Sequence, residues 1–190
     1  MIRILALCGS LRGVSRNRQA LLAARKLAPA ECEIALWEGL GGLPPFSPDL
    51  DQPGLPLPGA VAAFHAEVEQ ADGLLVACPE YAHGIPGAFK NALDWLVGSS
   101  VFPGKPVALI NVAPHASFAQ AQLREVLATM SAEIVDEACL TVAFPRPEAP
   151  GSTHAFEAAL RSALDDFVRR LADIRDHGAA GGEGPPAPML

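Results

Sequence analysis

The stretch DGLLVACPEYAHGIPGAFKNALDWLV, residues 72–97, predicts a strand, a loop and a helix in succession. Residues 74–78 form an unbroken apolar run of the length expected for a strand that is buried on both faces. Pro86 stands where a first helical residue is favoured, and the apolar positions after it follow the spacing of one helical stripe: Phe89, Ala92, Leu93 and Leu96. The intervening loop, residues 79–84, is expected at the carboxyl edge of a parallel sheet, where ligands bind in open α/β folds.

The rest of the chain repeats this alternation of apolar strands and amphipathic helices. Five strands are predicted, the last with an interruption near residues 136–137: 2–8, 33–37, 74–78, 105–112 and 134–144. Five helices separated by them, the last over residues 154–176, make this a three-layer, doubly wound α/β fold with a five-stranded parallel sheet. Right-handed crossovers favour the strand order 2-1-3-4-5. In that order the loops 9–17 and 79–84 flank the point where the winding reverses, so we expect one site between them.

The length and composition favour a single domain. At 190 residues, of which 50% are apolar and 18% charged, the chain is long enough to bury a substantial core. The domain is predicted to span residues 1–176, because residues 177–190, HGAAGGEGPPAPML, have the composition of a flexible tail. The net charge of −7 argues against nucleic acid as a partner. No apolar run approaches the roughly 20 residues that cross a bilayer, and we expect a cytoplasmic protein without a membrane span.

The cysteines and histidines do not suggest a metal site. The four cysteines are far apart, and the five histidines lack the close spacing of metal ligands, so we expect neither a structural metal nor a disulfide. Cys8 and Cys78 end two strands that are predicted to be neighbours. We interpret them as small apolar core residues, with a thiol beside the ligand as the alternative.

The loop GSLRGVSRN, residues 9–17, has the groups that a phosphate monoester requires. It contains hydroxyl, amide and guanidinium side chains: Ser10, Arg12, Ser15, Arg16 and Asn17. The backbone amides at the start of the following helix are expected to point into the same space, and the helix dipole favours an anion there. The alternative is that Ser15 or Asn17 only caps the helix and that the arginines are solvated.

The loop PEYAHG combines backbone polar groups, little bulk and one aromatic ring: Pro79, Glu80, Tyr81, Ala82, His83 and Gly84. A flat heteroaromatic ring is a candidate ligand, its edge bound by main-chain groups and its face flanked by Tyr81 or His83. Glu80 is expected to brace the loop, with proton donation as the alternative. For His83, ring-flanking, solvated and acid–base roles all remain open.

Together, the two loops resemble a known family. GSLRGVSRN resembles the signature GSLRxxSxN, and PEYAHGIPGAFKNALDWL resembles PEYNxSxPGxLKNAIDWL, both of the NADPH-dependent FMN reductases. That family includes quinone, azo-dye and chromate reductases with a flavodoxin-like fold. The resemblance extends over most of residues 1–175. One departure is Ala82, which stands where the signature has Asn, and another is the short loop 111–117, which is longer in many relatives.

The resemblance implies a noncovalent FMN cofactor and NADPH or NADH as co-substrate. FMN would place its phosphate on Ser10, Arg12, Ser15 and Asn17, and its ring along residues 79–84. Electrons would pass by ping-pong hydride transfer to a small acceptor, either quinone-like or free flavin. The chemistry belongs to the cofactor, so no catalytic side chain is assigned. The resemblance also implies a homodimer or homotetramer.

Two other functions are compatible with the sequence. One is an FMN-binding electron carrier or redox-responsive interaction protein without significant NAD(P)H turnover. The spread of the acidic residues along the chain argues mildly against it. The other is a phosphate-ester binder or hydrolase without flavin, which lacks any evident Ser-His-Asp arrangement or set of metal ligands.

Overall fold

The computed structural model describes residues 1–146 and 148–180, the last three by their backbone alone. Its strands are β1 Ile2–Cys8, β2 Cys32–Trp37, β3 Gly73–Ala77, β4 Pro106–Asn111, β5 Glu133–Ile134 and β6 Leu140–Thr141. Its α-helices are α1 Arg16–Leu27, α2 Gly59–Gln70, α3 Gly87–Val97, α4 Ser117–Thr129 and α5 Ser152–Ala180. The strands are parallel and follow the order β2-β1-β3-β4-β5, which confirms the predicted doubly wound sheet.

Alternate residues of the central strands face opposite helix layers. Leu5 and Leu7 belong to the core shared with α2, α3 and α4. Ile4 and Ala6 belong to the core shared with α1 and α5. This alternation is the expected geometry of strands buried on both faces. The predicted stripe of α3 faces the first of these cores, and all of its members are buried: Phe89, Ala92, Leu93 and Leu96.

Helix α5 packs so closely on β3 that a side chain at position 73 would displace Phe167 or Leu171. A Cβ atom on Gly73 would lie 2.8 Å from Cζ of Phe167 and 2.9 Å from Cδ2 of Leu171. Phe167 is fully buried. Because truncating such a residue leaves a cavity, Phe167→Ala would cost about 3–5 kcal/mol of unfolding free energy. The last helix is therefore part of the domain core.

The predicted fifth strand is split in two. Its ends are the two-residue strands β5 and β6, both parallel to β4. The 3₁₀ turn Asp136–Ala138 separates them, at the position where the sequence predicts an interruption. Asp136 pairs with Arg124 of α4 at 2.5 Å, while Ala138 is buried. The described sheet therefore has six strands instead of the expected five.

Two helices have boundaries that differ from the predicted ones, and α5 differs at both ends, since it begins at Ser152 instead of residue 154. Pro86 is the N-cap of α3 and not its first helical residue, and its carbonyl accepts hydrogen bonds from the amides of Phe89 and Lys90. Helix α5 continues to Ala180, so residues 177–180, predicted as the start of the tail, are helical. Alanine's high helix propensity favours this extension. The rest of the predicted tail, residues 181–190, lies outside the described residues.

The long connection between β2 and α2 is attached to α3. The carbonyl of Pro44 accepts hydrogen bonds from Nδ2 of Asn91 (2.9 Å) and from Nε1 of the buried Trp95 (2.8 Å). The amide of Phe46 donates to Oδ1 of Asn91 at 2.7 Å. None of the helices in the described part of the chain is long and apolar enough to cross a membrane.

Candidate functional site: a cleft at the strand ends

The first loop, residues 9–17, leads from β1 into α1. Ser15 is the N-cap residue of α1, and its Oγ atom lies 3.5 Å from the amide of Arg18 that donates to it. Ser10 Oγ accepts a hydrogen bond from the amide of Arg12 at 3.3 Å. The capping role that the sequence left open for Ser15 is thus present. At a helix start the first amides have no partner within the helix, so those of Arg16 and Asn17 are available to a ligand.

The three arginines around this loop have different surroundings. Arg18 pairs with Glu38. Arg12 and Arg16 are exposed, and neither forms an ion pair with another residue of the described ranges. Two guanidinium groups beside a helix N-terminus therefore remain free to bind an anion.

The second loop, residues 79–84, closes in a two-residue turn. Tyr81 and Gly84 each donate their amide to the other's carbonyl at 3.0 Å. Ala82 and His83, between them, have φ angles of 50° and 60°. Positive φ at both central positions is the pattern of a type I′ turn, which favours Gly, Asn or Asp. For a residue with a Cβ atom such as Ala82, this conformation costs about 1–2 kcal/mol.

The first turns of α4 hold the second loop in place. Side-chain hydrogen bonds connect the two segments at three points: Glu80 to Ala119 (2.9 Å), Gln120 to Cys78 (3.4 Å) and Gln122 to Ile85 (2.8 Å). Three bonds from one helix end to one short loop make the two segments a single structural unit.

Glu80 supplies the cap that α4 lacks in its own sequence. The N-cap residue Ala116 forms no side-chain cap. Instead, Oε2 of Glu80 accepts a hydrogen bond from the first-turn amide of Ala119. A carboxylate at this position also interacts favourably with the helix dipole. The structure thus gives Glu80 the bracing role that was expected of it.

A third loop, between β4 and α4, completes the edge of the sheet. Asn111 is buried, and its Oδ1 atom accepts a hydrogen bond from the amide of Ala113 at 2.9 Å. Its Nδ2 atom donates to the carbonyl of Ala116 at 3.4 Å. One buried amide side chain therefore holds this short loop, which brings His115 to the same edge as the other two loops.

The three loops enclose two adjoining cavities. The larger, about 570 Å³, lies between the first and second loops, and the smaller, about 210 Å³, lies between these loops and the third. Arg16, Asn17 and Pro79 line both cavities. Their combined size is within the range of small-molecule and cofactor sites. We refer to the two cavities together as the cleft.

Most of the predicted site residues come together in this cleft. The larger cavity is lined by Ser10, Arg12, Ser15, Arg16, Asn17, Pro79 and Tyr81, and the smaller one also by Glu80. Ala82, His83 and Gly84 line neither cavity. Ala82 and His83 form the tip of the turn that the Tyr81–Gly84 pair closes. Tyr81 lines the larger cavity, and the tip lies beyond it.

Several lining residues were not predicted from the sequence. Phe144 and Pro145, which follow β6, line the larger cavity, as do Val14 and Gln19. Val112, Ala113, His115 and Ala116 line the smaller one. The third loop follows a predicted buried strand, so its place at the sheet edge is a signal that could have marked it as a third wall. No comparable signal precedes Phe144.

The cleft differs in charge from the protein as a whole. The chain carries a net charge of −7, yet the charged residues that line the cleft are Arg12, Arg16 and Glu80, with the ionisable His115 beside them. Glu80 is already bonded to α4. The cleft is therefore electropositive on its α1 side and suited to an anionic group.

Cys78 is buried in the core and also lines the smaller cavity, so one of the two thiols does lie beside the cleft, but burial disfavours both as nucleophiles. Burial, with a smaller contribution from Cys8, raises the pKa of the Cys78 thiol to about 12. Burial also raises the pKa of Cys8, against smaller opposing effects of Ser10, Ser15 and Arg18. Both thiols therefore stay protonated near neutral pH, and the reactive thiolate form is disfavoured. Among the described residues, no group of His, Cys, Asp and Glu is placed to hold a metal ion.

The fold and the cleft together define a class of protein. A doubly wound parallel sheet binds its ligand at the carboxyl ends of its strands, at the point where the winding reverses. Here that point has an electropositive helix N-terminus on one side and a rigid turn on the other. These are features of a flavodoxin-like protein that binds a phosphorylated ring compound.

Comparisons with known proteins identify the family. The family model of the NADPH-dependent FMN reductases matches residues 2–145. The chain is 32% identical over 182 residues to a 2-hydroxy-1,4-benzoquinone reductase from Burkholderia sp, covering 92% of this chain and 97% of that protein. It is 31% identical over 142 residues to a quinone reductase from Escherichia coli, covering 72% and 74%. Among solved structures, the flavoenzyme NAD(P)H:(acceptor) oxidoreductase FerB from Paracoccus denitrificans matches with a TM-score of 0.71 and 25% identity, covering 89% and 98%.

The chain belongs to the NADPH-dependent FMN reductase family. It is therefore an oxidoreductase that uses FMN and NAD(P)H, as the resemblance of its two loops implies. The residues present fit this cofactor, because the cleft offers free guanidinium groups and helix amides for a phosphate and has room for a ring beside Pro79 and Tyr81.

Proposed function

We propose that the protein reduces quinone-type acceptors with electrons from NAD(P)H, in two alternating half-reactions at the cleft. The observation that carries the proposal is the shape of this site: one cleft joins an anion-binding loop to a rigid turn with an exposed aromatic side chain. Tyr81, the only tyrosine of the chain, stands at the rim with 54% of its surface exposed. The two half-reactions require an open site that each reactant can enter in turn.

The proposed division of the cleft follows its charge. Ser10, Arg12, Ser15, Arg16 and Asn17 would hold the phosphate of FMN, and Pro79, Glu80 and Tyr81 would lie along its ring, with the turn of residues 82–84 beyond it. FMN supplies, when bound, the hydride chemistry that no side chain of the cleft performs. The residues of the chain contribute binding and orientation, which can account for a large part of an enzyme's rate enhancement.

No side chain of the cleft is proposed as an acid or base. The carboxylate of Glu80 is bonded to the amide of Ala119. The thiols of Cys8 and Cys78 are held protonated by burial, which raises their pKa values. Four ionisable side chains line the smaller cavity: Arg16, Cys78, Glu80 and His115. No chemical role is assigned to His115.

Quinones are proposed as acceptors because of the relatives. Two similar proteins are a 2-hydroxy-1,4-benzoquinone reductase and a quinone reductase. A quinone is flat and uncharged, so it can follow a nicotinamide into a site with an open aromatic rim. The choice between NADH and NADPH depends on contacts with the adenosine ribose, which carries the additional phosphate of NADPH.

The test separates this function from that of an electron carrier. Purified protein is mixed with FMN, desalted, and titrated with NADPH without oxygen; 1,4-benzoquinone is then added. The expected result is retained flavin absorbance that bleaches with NADPH and returns with the quinone. Retention without bleaching would favour the carrier, and failure to retain FMN would contradict both functions.

We also propose a homodimer or homotetramer that acts in the cytoplasm. The exposed apolar side chain of Val97, at the end of α3, supports a contact between copies there. The four cysteines are free, which suits a reducing compartment. Light scattering of the FMN-loaded protein tests the first point, and a monomer at micromolar concentration would refute it. Fractionation of the source cells tests the second.

A further inference from the structure

Two exposed rings stack on each other beside the cleft. The imidazole of His83 and the phenyl ring of Phe118 have centroids 4.4 Å apart and planes inclined by 19°. Phe118 is 56% exposed, and His83 is exposed as well. Each ring covers one face of the other, so the remaining faces are accessible to a further ring. We call this pair the aromatic platform.

The platform is not needed to hold the second loop. The loop is closed by the Tyr81–Gly84 hydrogen bonds and attached to α4 by Glu80 and Gln122. A stacked pair with two solvated faces buries little apolar area and therefore contributes little to folding. Large apolar side chains that stay exposed in a group are more informative about binding than about stability.

The platform is attached to the walls of the cleft. Along the chain, Phe118 follows Ala116, which lines the smaller cavity, by two residues and precedes Ala119, whose amide is bonded to Glu80. His83 follows Tyr81, which lines the larger cavity, by two residues. Its φ of 60° is imposed by the type I′ turn, so its backbone direction is fixed. Neither ring lines the cleft itself, but both are carried by the segments that form its walls, the second loop and the first turn of α4.

We propose that Phe118, supported by His83, is a specificity-determining residue that stacks flat aromatic acceptors at the mouth of the cleft. The inference rests on the proposed reductase function and adds which acceptors are preferred. Aromatic rings favour offset-stacked or edge-to-face arrangements, and such pairs contribute beyond the area they bury. The platform thus favours fused-ring quinones over small or non-aromatic acceptors.

Selectivity for ring size follows from this geometry. A naphthoquinone can lay its second ring on Phe118, whereas an inorganic anion such as ferricyanide has no ring to stack. Removing the phenyl ring should therefore raise KM for a naphthoquinone roughly 2- to 10-fold and leave ferricyanide unaffected, since one stacking contact has about this effect. The turnover number should change little, because Phe118 is not assigned to the chemistry.

The experiment uses FMN-loaded Phe118→Leu, Phe118→Tyr and wild-type protein, with Leu55→Ala as the control at another exposed apolar position. KM and kcat are measured with a naphthoquinone, with 1,4-benzoquinone and with ferricyanide. A second readout is the dissociation constant of 2-naphthol, which accepts no electrons. It is measured by ligand-observed NMR on the oxidised protein. Circular dichroism and NADPH-dependent bleaching check that each variant folds and accepts electrons.

The expected result is weaker binding of the naphthoquinone and of 2-naphthol by Phe118→Leu, recovery in Phe118→Tyr, and no change in Leu55→Ala. Equal values in Phe118→Leu and wild type would overturn the platform proposal while the reductase function stands. A parallel rise of KM for ferricyanide would also overturn it, because it would indicate a general distortion. If wild type is not bleached by NADPH, the reductase proposal fails, and the 2-naphthol measurement still decides whether the platform binds flat rings.

Discussion

The first and second loops lie at the same edge of the sheet, but they use their polar groups in opposite ways. In the first, the guanidinium groups of Arg12 and Arg16 form no ion pair within the described ranges, and of the first three amides of α1 only that of Arg18 is capped, by Ser15. In the second, the carboxylate of Glu80 is bonded to α4, and Tyr81 and Gly84 each donate their amide to the other's carbonyl. The first loop is prepared for a ligand, whereas the second is already satisfied.

This difference separates affinity from orientation. Free charged donors add to binding because a ligand anion replaces water around them. Satisfied groups cannot make the same contribution, but they fix the position of the surface that the ligand meets. We therefore expect changes in the first loop to alter cofactor affinity with little effect on folding, and changes in the second loop to alter folding stability first.

Removing a charge from the first loop should have the largest effect. Arg12→Ala is expected to weaken FMN binding roughly 10- to 100-fold, the usual effect of losing one hydrogen bond to a charged group. Fluorescence titration of the apoprotein with FMN measures it. Arg25→Ala, an exposed arginine in the last turn of the same helix, is the matched control. An unchanged dissociation constant in Arg12→Ala would contradict the placement of the phosphate.

Glu80→Ala should have an intermediate effect, on stability more than on affinity. The substitution leaves the amide of Ala119 without its partner and removes a favourable charge from the start of α4. We expect a loss of about 1 kcal/mol of unfolding free energy, typical of a lost helix cap. Urea denaturation of the apoprotein measures it, and Glu80→Gln, which keeps an acceptor oxygen, should lose less. The comparison of the two loops breaks down if Glu80→Ala weakens FMN more than Arg12→Ala does.

Ala82→Asn should stabilise the second loop slightly. Ala82 has a φ of 50°, and Asn tolerates this left-handed conformation better than alanine. The expected gain is about 0.5–1 kcal/mol in unfolding free energy, somewhat below the full cost of a Cβ atom in that conformation. Ala62→Asn, at an exposed position inside α2, is the control and should destabilise. A loss of stability in both variants would argue against the type I′ turn.

The smallest effect near neutral pH concerns the buried thiols. Burial raises the pKa of Cys78 from 9.0 to about 12 and that of Cys32 to about 11. Below pH 9 these thiols are protonated in both the folded and the unfolded chain, so their full contribution to the unfolding free energy is present. Between pH 9 and 12 the unfolded chain loses these protons first, so stability falls as pH rises.

Unfolding free energies measured between pH 8 and pH 11 test this, as the difference between wild type and Cys78→Ala. That difference should shrink as pH rises, because only wild type loses the contribution of the thiol at position 78. A difference that stays constant with pH would show that this thiol ionises as easily in the fold as outside it.

The features that follow from periodicity were predictable from the sequence. The apolar run that became β3 and the stripe of α3 each carry their own period, so the doubly wound sheet could be inferred. Once β1 and β3 were neighbours, the loops after them had to meet. This is why Ser10, Arg12 and Tyr81 could be assigned to one site before any coordinates were known.

The features that depend on distant contacts were not predictable. Glu80 caps a helix whose first-turn amide is 39 positions away in sequence. Phe118 resembles an ordinary helix residue, and only the fold places it on His83. Phe144 reaches the cleft because its amide donates to the carbonyl of Val112, a cleft residue of the third loop, at 3.1 Å. In each case the partner is set by packing and not by a local pattern.

The split of the outer strand also bears on solubility. An uninterrupted edge strand offers a row of free backbone groups to which another polypeptide can add. On the flank beyond β4, β5 and β6 are each only two residues long. The two acidic residues Asp136 and Glu137 lie between them. A neighbouring molecule would have to bury these carboxylates to extend the sheet there. The turn between β5 and β6 therefore protects this flank against aggregation.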